Sequence, residues 1–252
     1  MLNIEPSLIA VDLTDSGHFM WFAIAGLLGG IIRGYSGFGG PAVILLLLSH
    51  GFSPASLVFK VVLIDAMANL HLLRSALKEA EWRTVALLGI PAILGIPIGI
   101  YGLHHIDGES IRQAIGVTTA AAMIWLLSGH RRQKPFKSIV IVAVGFLNGI
   151  IYGASCIVLI AVAFLLLGPD SNKTSRANII VWAFAMVSTY IPLNFALGYG
   201  AESAWPQILT LGLIYAGGAL VGARLFAQSA DTGYRKISIA LLIILAGIAI
   251  FA

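Results

Sequence analysis

The sequence predicts an all-α polytopic membrane protein: about eight apolar segments in two repeats, inverted relative to one another, with the first segment of each broken mid-membrane. Three observations predict it. Apolar residues make up 59% of the 252 and charged residues only 10%, with a mean hydropathy of +0.95, whereas a water-soluble domain carries roughly 25% charged residues. Runs long enough to span a hydrocarbon core of about 30 Å follow one another with little between them. Glycine-rich stretches interrupt two of these runs, and the second half echoes the first.

The runs lie near 18–48, 55–74, 84–103, 110–129, 136–168, 175–198, 206–227 and 234–252. Residues 1–17 carry Glu5, Asp12 and Asp15 and no Lys or Arg. They lack the basic start of a signal peptide, so the first apolar segment is expected to be retained. The net charge of +4 does not point to nucleic acid, because Lys and Arg sit in short loops, where they set membrane orientation. The single cysteine, Cys156, excludes an internal disulfide and a multi-cysteine metal site.

The first run is interrupted at residues 29–41, GGIIRGYSGFGGP. Glycine adds backbone entropy and proline removes a donor, so this stretch does not hold a regular helix. In lipid, a broken backbone is tolerated only where protein or a water-filled cavity covers it. Arg33 lies within it, and a lone cation near the bilayer centre costs at least about 2.5–3.5 kcal/mol. Pro41 suits the first turn of a half-helix beginning near Gly40. The positive end of that half-helix, and of one expected to start near Ser155, would point into the membrane interior.

Gly30-Ile31-Ile32-Arg33-Gly34-Tyr35-Ser36 matches Gly149-Ile150-Ile151-Tyr152-Gly153-Ala154-Ser155, and Gly95, Gly99, Asp107 and Arg112 match Gly218, Gly222, Asp231 and Arg235 in the same order. The chain is expected to comprise a short N-terminal segment (1–17), a first repeat (18–130), a basic loop (131–135) and a second repeat (136–252). Loop charge sets the orientation. With Arg33, Lys60 and Arg176 set aside as intramembrane, single crossings by every run divide the other twelve basic residues seven against five. If both broken segments instead turn and return to their own side, eleven of the twelve share one face, as the positive-inside rule expects. Inverted repeats with broken helices are the architecture of secondary transporters, whose substrate sits near midplane between the halves.

The candidate substrate-binding residues are Arg33, a bidentate donor to an oxyanion, the backbone of Gly34, Tyr35, Ser36, Gly37, Gly39 and Gly40, and Tyr152 and Ser155 of the repeat. Each has an ordinary reading beside it: Arg33 snorkels or pairs with Asp65, the serines pack, and the tyrosines anchor at an interface. Lys60 and Arg176 form the approaches of an anion path or snorkel. Asp65, with Asn69 one turn on and on the same face, is a proton-coupling site or the counter-ion of a basic residue. Asn178, Trp182, Tyr190 and Asn194 add weaker polarity to the matching span. Cys156 stands where the first half has Gly37, and close packing is its expected role. Hydrolase, nucleotide-driven and metalloprotease motifs are absent from the sequence, so the chain is read as a non-enzyme with neither cofactor nor metal.

These residues resemble the TauE/SafE sulfite exporter family of bacterial membrane permeases. The likeness lies in GLLGGIIRGYSGFGGP, its weaker repeat GFLNGIIYGAS, the loop KEAEW and the glycine-rich third and seventh spans, and covers nearly the whole chain. The second motif departs from the pattern where Cys156-Ile157-Val158-Leu159-Ile160 replaces the glycines and proline. That departure bears on whether both halves contribute equally to a site. The resemblance implies export of sulfite or small organosulfonates such as sulfoacetate across the bacterial inner membrane. The residues themselves reach only a small anion moved by alternating access, with proton coupling through Asp65 open. An anion channel and a non-transporting scaffold or assembly factor stand as alternatives. The expected partners are the anionic substrate and the lipid bilayer, with a homodimer open and no nucleic acid.

Overall fold

The computed structural model describes residues 16–48, 54–106, 134–198 and 205–229, with short stretches between 233 and 244 and single residues at 117 and 124. Most of the runs at 110–129 and 234–252, most of the loop 131–135, the stretch before residue 16, and Asp107, Arg112, Asp231 and Arg235 lie outside the described residues. The helices are α1 (Ser16–Ser36), α2 (Gly40–Leu48), α3 (Pro54–Glu79), α4 (Trp82–His105), α5 (Ser138–Ser155), α6 (Leu159–Leu167), α7 (Asn172–Ala196) and α8 (Trp205–Gln228). The described residues contain no strand. Among them, α4, α5, α7 and α8 are long and apolar enough to cross a bilayer. Large apolar side chains such as Ile90, Leu94, Ile139 and Leu213 lie exposed on the outer faces of these helices, as lipid contact requires.

Both broken runs double back. Gly37 and Gly39 turn the first chain with φ of 86° and 82°, a region open to glycine because it has no Cβ. Gly40 then lies against Gly29 and Arg33, and Ile44 against Gly29. A continuous helix rising 1.5 Å per residue would carry Gly40 about 16 Å past Gly29, so α2 returns along α1. In the second run, the amide of Ala161 donates to Asn148 Oδ1 at 2.8 Å, so α6 returns along α5.

The second half-helix begins at Leu159 and not near Ser155 as the motif suggested. Cys156 adopts the left-handed conformation at φ 57° and its amide closes α5 on the Tyr152 carbonyl at 2.8 Å. Val158, at the cap position of α6, offers no side-chain acceptor. Asn148 supplies it from the neighbouring helix, satisfying one of the first-turn donors that every helix start leaves open.

Two glycine seams hold the hairpins to the long helices. A Cβ on Gly30 or Gly34 of α1 would overlap the carbonyls of Tyr215 and Ala219 of α8, and one on Gly218 or Gly222 would overlap those of Leu27 and Ile31. In the second seam Gly149 and Gly153 of α5 meet Ala92 and Ile96 of α4, while Gly95 and Gly99 meet Phe146 and Ile150. Partner numbers rise together in each seam, so α1 runs parallel to α8 and α5 parallel to α4. Small residues permit this backbone approach, the main source of helix association in lipid. Between the seams α3 packs on α7, α3 also on α8, and α7 also on α4.

Candidate functional site

The interior of the molecule is polarised around Arg33, in the last turn of α1 and only 2% exposed. Its Nε donates to Asp65 Oδ1 at 2.9 Å, Nη1 donates to the Gly37 carbonyl and Nη2 to Asn69 Oδ1. Asp65, on α3 and 4% exposed, also accepts from Tyr215 Oη at 2.6 Å and from Asn69 Nδ2 at 2.8 Å. The two charges are thus paired, and each makes further hydrogen bonds, the condition under which a buried ion pair survives its desolvation. Asn69 lies one turn from Asp65, and its Nδ2 also reaches the Asp65 carbonyl at 3.1 Å. Sequence spacing put these two residues on one face; the structure adds that both face Arg33.

Beside the pair lies a cavity of about 30 Å³, room for a water or two. Both hairpins reach it: Phe38, Gly39, Pro41 and Ala42 from the first, and Cys156, Ile157, Val158 and Leu159 from the second. Arg33, Asp65 and Tyr152 border it, and α7 closes it with Ile179, Trp182 and Ala183. The starts of α2 and α6 therefore both face this space, and a helix start carries partial positive charge and open amides. Trp182 is fully buried, and its Nε1 has no hydrogen-bond partner among the described residues.

Around Arg33 the structure brings together Asp65, Asn69, Gly37, Gly39, Gly40 and Tyr152. Tyr152 packs edge-on against Tyr190, ring centroids 5.7 Å apart. The other expected residues hold the turns. Ser36 Oγ donates to the Ile32 carbonyl at 2.7 Å and accepts from the Phe38 amide at 3.2 Å. Ser155 repeats this with Ile151 at 2.8 Å and Ile157 at 3.3 Å. Arg176 of α7 donates from Nε to the Tyr35 carbonyl at 3.0 Å and from Nη2 to the Gly34 carbonyl, with its guanidinium 4.2 Å over the Phe226 ring. These are the open carbonyls at the end of α1, where a cation also meets the negative end of the helix. Tyr234 Oη adds a bond to the Ser36 carbonyl at 2.8 Å. The Tyr35 ring lies against Phe226 and Tyr234, and its hydroxyl has no partner among the described residues. Lys60 is half-buried on α3 and does not border the cavity.

Sequence reasoning missed Tyr215 and Asn148. Each is a hydrogen-bonding side chain in mid-segment beside a small-residue seam, which was the available signal. Among the described residues no three His, Cys, Asp or Glu side chains gather for a metal.

No curated protein and no solved structure gives a match. The family model of the sulfite exporter TauE/SafE matches residues 22–250. Spanning nearly the whole chain, that match makes this multi-pass membrane protein a member of the TauE/SafE sulfite exporter family.

Proposed function

We propose that the chain is a secondary transporter in the bacterial inner membrane that exports small sulfur-containing anions, sulfite or organosulfonates such as sulfoacetate. The observation that carries this reading is the cavity where both half-helix starts meet the Arg33–Asp65 pair. A guanidinium and converging helix starts are what an oxyanion needs in a medium without water. Family membership supplies the sulfur chemistry.

In this reading the chain is two inverted repeats, 18–130 and 136–252, and the hairpins enter from opposite sides. The two seams support it, since each first-half contact has a counterpart at the matching position of the second half. Access alternates as one repeat moves against the other about the buried site. Asp65 is the coupling residue, because it holds the group that the substrate must reach. Lys60 forms an approach to the site, and Arg176 fixes the carbonyl end of α1 from which Arg33 projects.

The test is uptake of sulfite and of sulfoacetate by proteoliposomes carrying wild type or Arg33→Ala. Saturable flux in wild type that the folded variant lacks supports the reading, and flux without saturation identifies a channel. Equal flux from both proteins removes Arg33 from the site.

A further inference from the structure

We propose that the site loads a monoanion together with one proton, taken up by Asp65, so that loading is electroneutral and dianions are refused. This rests on the reading of Arg33 as the anion site and concerns which charge state is carried.

The charges at the site lead to it. Among the described residues, Arg33 and Asp65 are the two charged side chains that border the cavity, and they cancel. The nearest other buried guanidinium, Arg176, is committed to the Gly34 and Tyr35 carbonyls and to the Phe226 ring. Asp65 faces Arg33 from α1, Asn69 on its own helix and Tyr215 from α8. Across the cavity stand Tyr152 and Cys156 from α5 and its turn, Trp182 from α7 and Pro41 from α2. None of these is a second cation.

Each nitrogen of Arg33 already holds a partner: Nε the Asp65 carboxylate, Nη1 the Gly37 carbonyl and Nη2 Asn69. An oxyanion that takes the Nε–Nη2 fork with two parallel bonds therefore displaces the carboxylate. The released Asp65 then lies beside a second anion in a largely apolar space, with one cation between the two. Two like charges so placed do not both remain ionised. A proton on Asp65 restores neutrality: Arg33 plus Asp65 carboxylate when empty, Arg33 plus anion plus neutral Asp65 when loaded. The protonated carboxyl keeps an acceptor for Tyr215 and gains a donor. A dianion leaves one negative charge uncompensated even with Asp65 protonated, and an uncompensated buried charge is the arrangement proteins avoid. Hydrogensulfite and monosulfonates fit this account, and sulfoacetate fits it as the monoanion whose carboxyl group is protonated; sulfate and the dianions of sulfite and sulfoacetate do not.

The experiment uses the full chain in proteoliposomes, with methanesulfonate as a permanent monoanion and sulfate as a dianion. Membrane potential is clamped with potassium and valinomycin while the pH gradient is varied separately. The expected result is saturable methanesulfonate flux that follows the pH gradient and ignores the potential, with sulfate neither carried nor competing. Binding of methanesulfonate to the protein in weakly buffered detergent should take up one proton per anion. In Asp65→Asn, proton uptake disappears and the flux responds to potential. Flux that follows potential and ignores the pH gradient in wild type overturns the proposal, as does competition by sulfate, and either leaves the transporter reading standing. No flux of methanesulfonate, sulfite or sulfoacetate by folded wild type overturns the transporter reading itself. If Asp65→Asn fails to fold, the wild-type gradient and potential experiments decide.

Discussion

Arg33 of α1 and Asp65 of α3 hold each other at 2.9 Å in the interior, and among the described residues neither has another opposite charge beside it. Removing one partner leaves the other buried and uncompensated, which costs about 3–5 kcal/mol. Asp65→Ala and Arg33→Ala should therefore each lower thermal stability in detergent strongly. Replacing both charges, as in Arg33→Met with Asp65→Leu, removes two desolvation penalties at once. The double variant should be more stable than either single variant, a non-additivity that a double-mutant cycle on unfolding midpoints measures. Additive losses would mean that the pair does not act as a unit.

The seams make a sharper demand, on single hydrogens. A Cβ on Gly34 would overlap the Ala219 carbonyl, and one on Gly153 would overlap the Ile96 carbonyl. Both obstacles are backbone, so whole helices must separate. Overpacking of this kind costs about 1–3 kcal/mol. Gly217 lies on the exposed face of α8 with nothing within 4 Å of an added Cβ, and there alanine gains about 0.5–1 kcal/mol by its better helix propensity. Gly34→Ala and Gly153→Ala should lower the unfolding temperature, and Gly217→Ala should hold or raise it. The same direction for all three would refute the packing account.

The helical class and the first break were legible because their causes are local. Glycines at 37 and 39 supply the left-handed turn, and Pro41 sits in the first turn of α2. Arg33 and Asp65 were legible as charges in apolar runs. What sequence could not give were partners far along the chain. The sequence leaves Arg176 between an anion path and snorkelling, and its hydrogen bonds go to carbonyls more than a hundred residues away. Tyr215 looked like one more residue of a membrane span until folding set its hydroxyl on Asp65. The second break was misplaced by a few residues for a related reason. Glycine is absent from its turn, and the cap of α6 comes from Asn148 on another helix.

Cys156 gives that second turn its own test. At φ 57° it is, among the described residues, the one non-glycine with a positive φ, where the matching position of the first half carries Gly37 at 86°. The left-handed conformation costs a residue with a Cβ about 1–2 kcal/mol, and here the closed hairpin imposes it. Alanine at 156 would keep that cost and lose the thiol's contacts. Glycine would lose the same contacts and relieve the backbone, against about 0.4–1 kcal/mol of added unfolded-state entropy. Cys156→Gly should therefore be more stable than Cys156→Ala by about 0.5–1 kcal/mol, the reverse of the order within a helix. Unfolding midpoints of the two variants in one detergent decide it. Greater stability for alanine would mean that the turn at 156 is not left-handed in the folded protein, and the parallel between the two hairpins would fail at its tip.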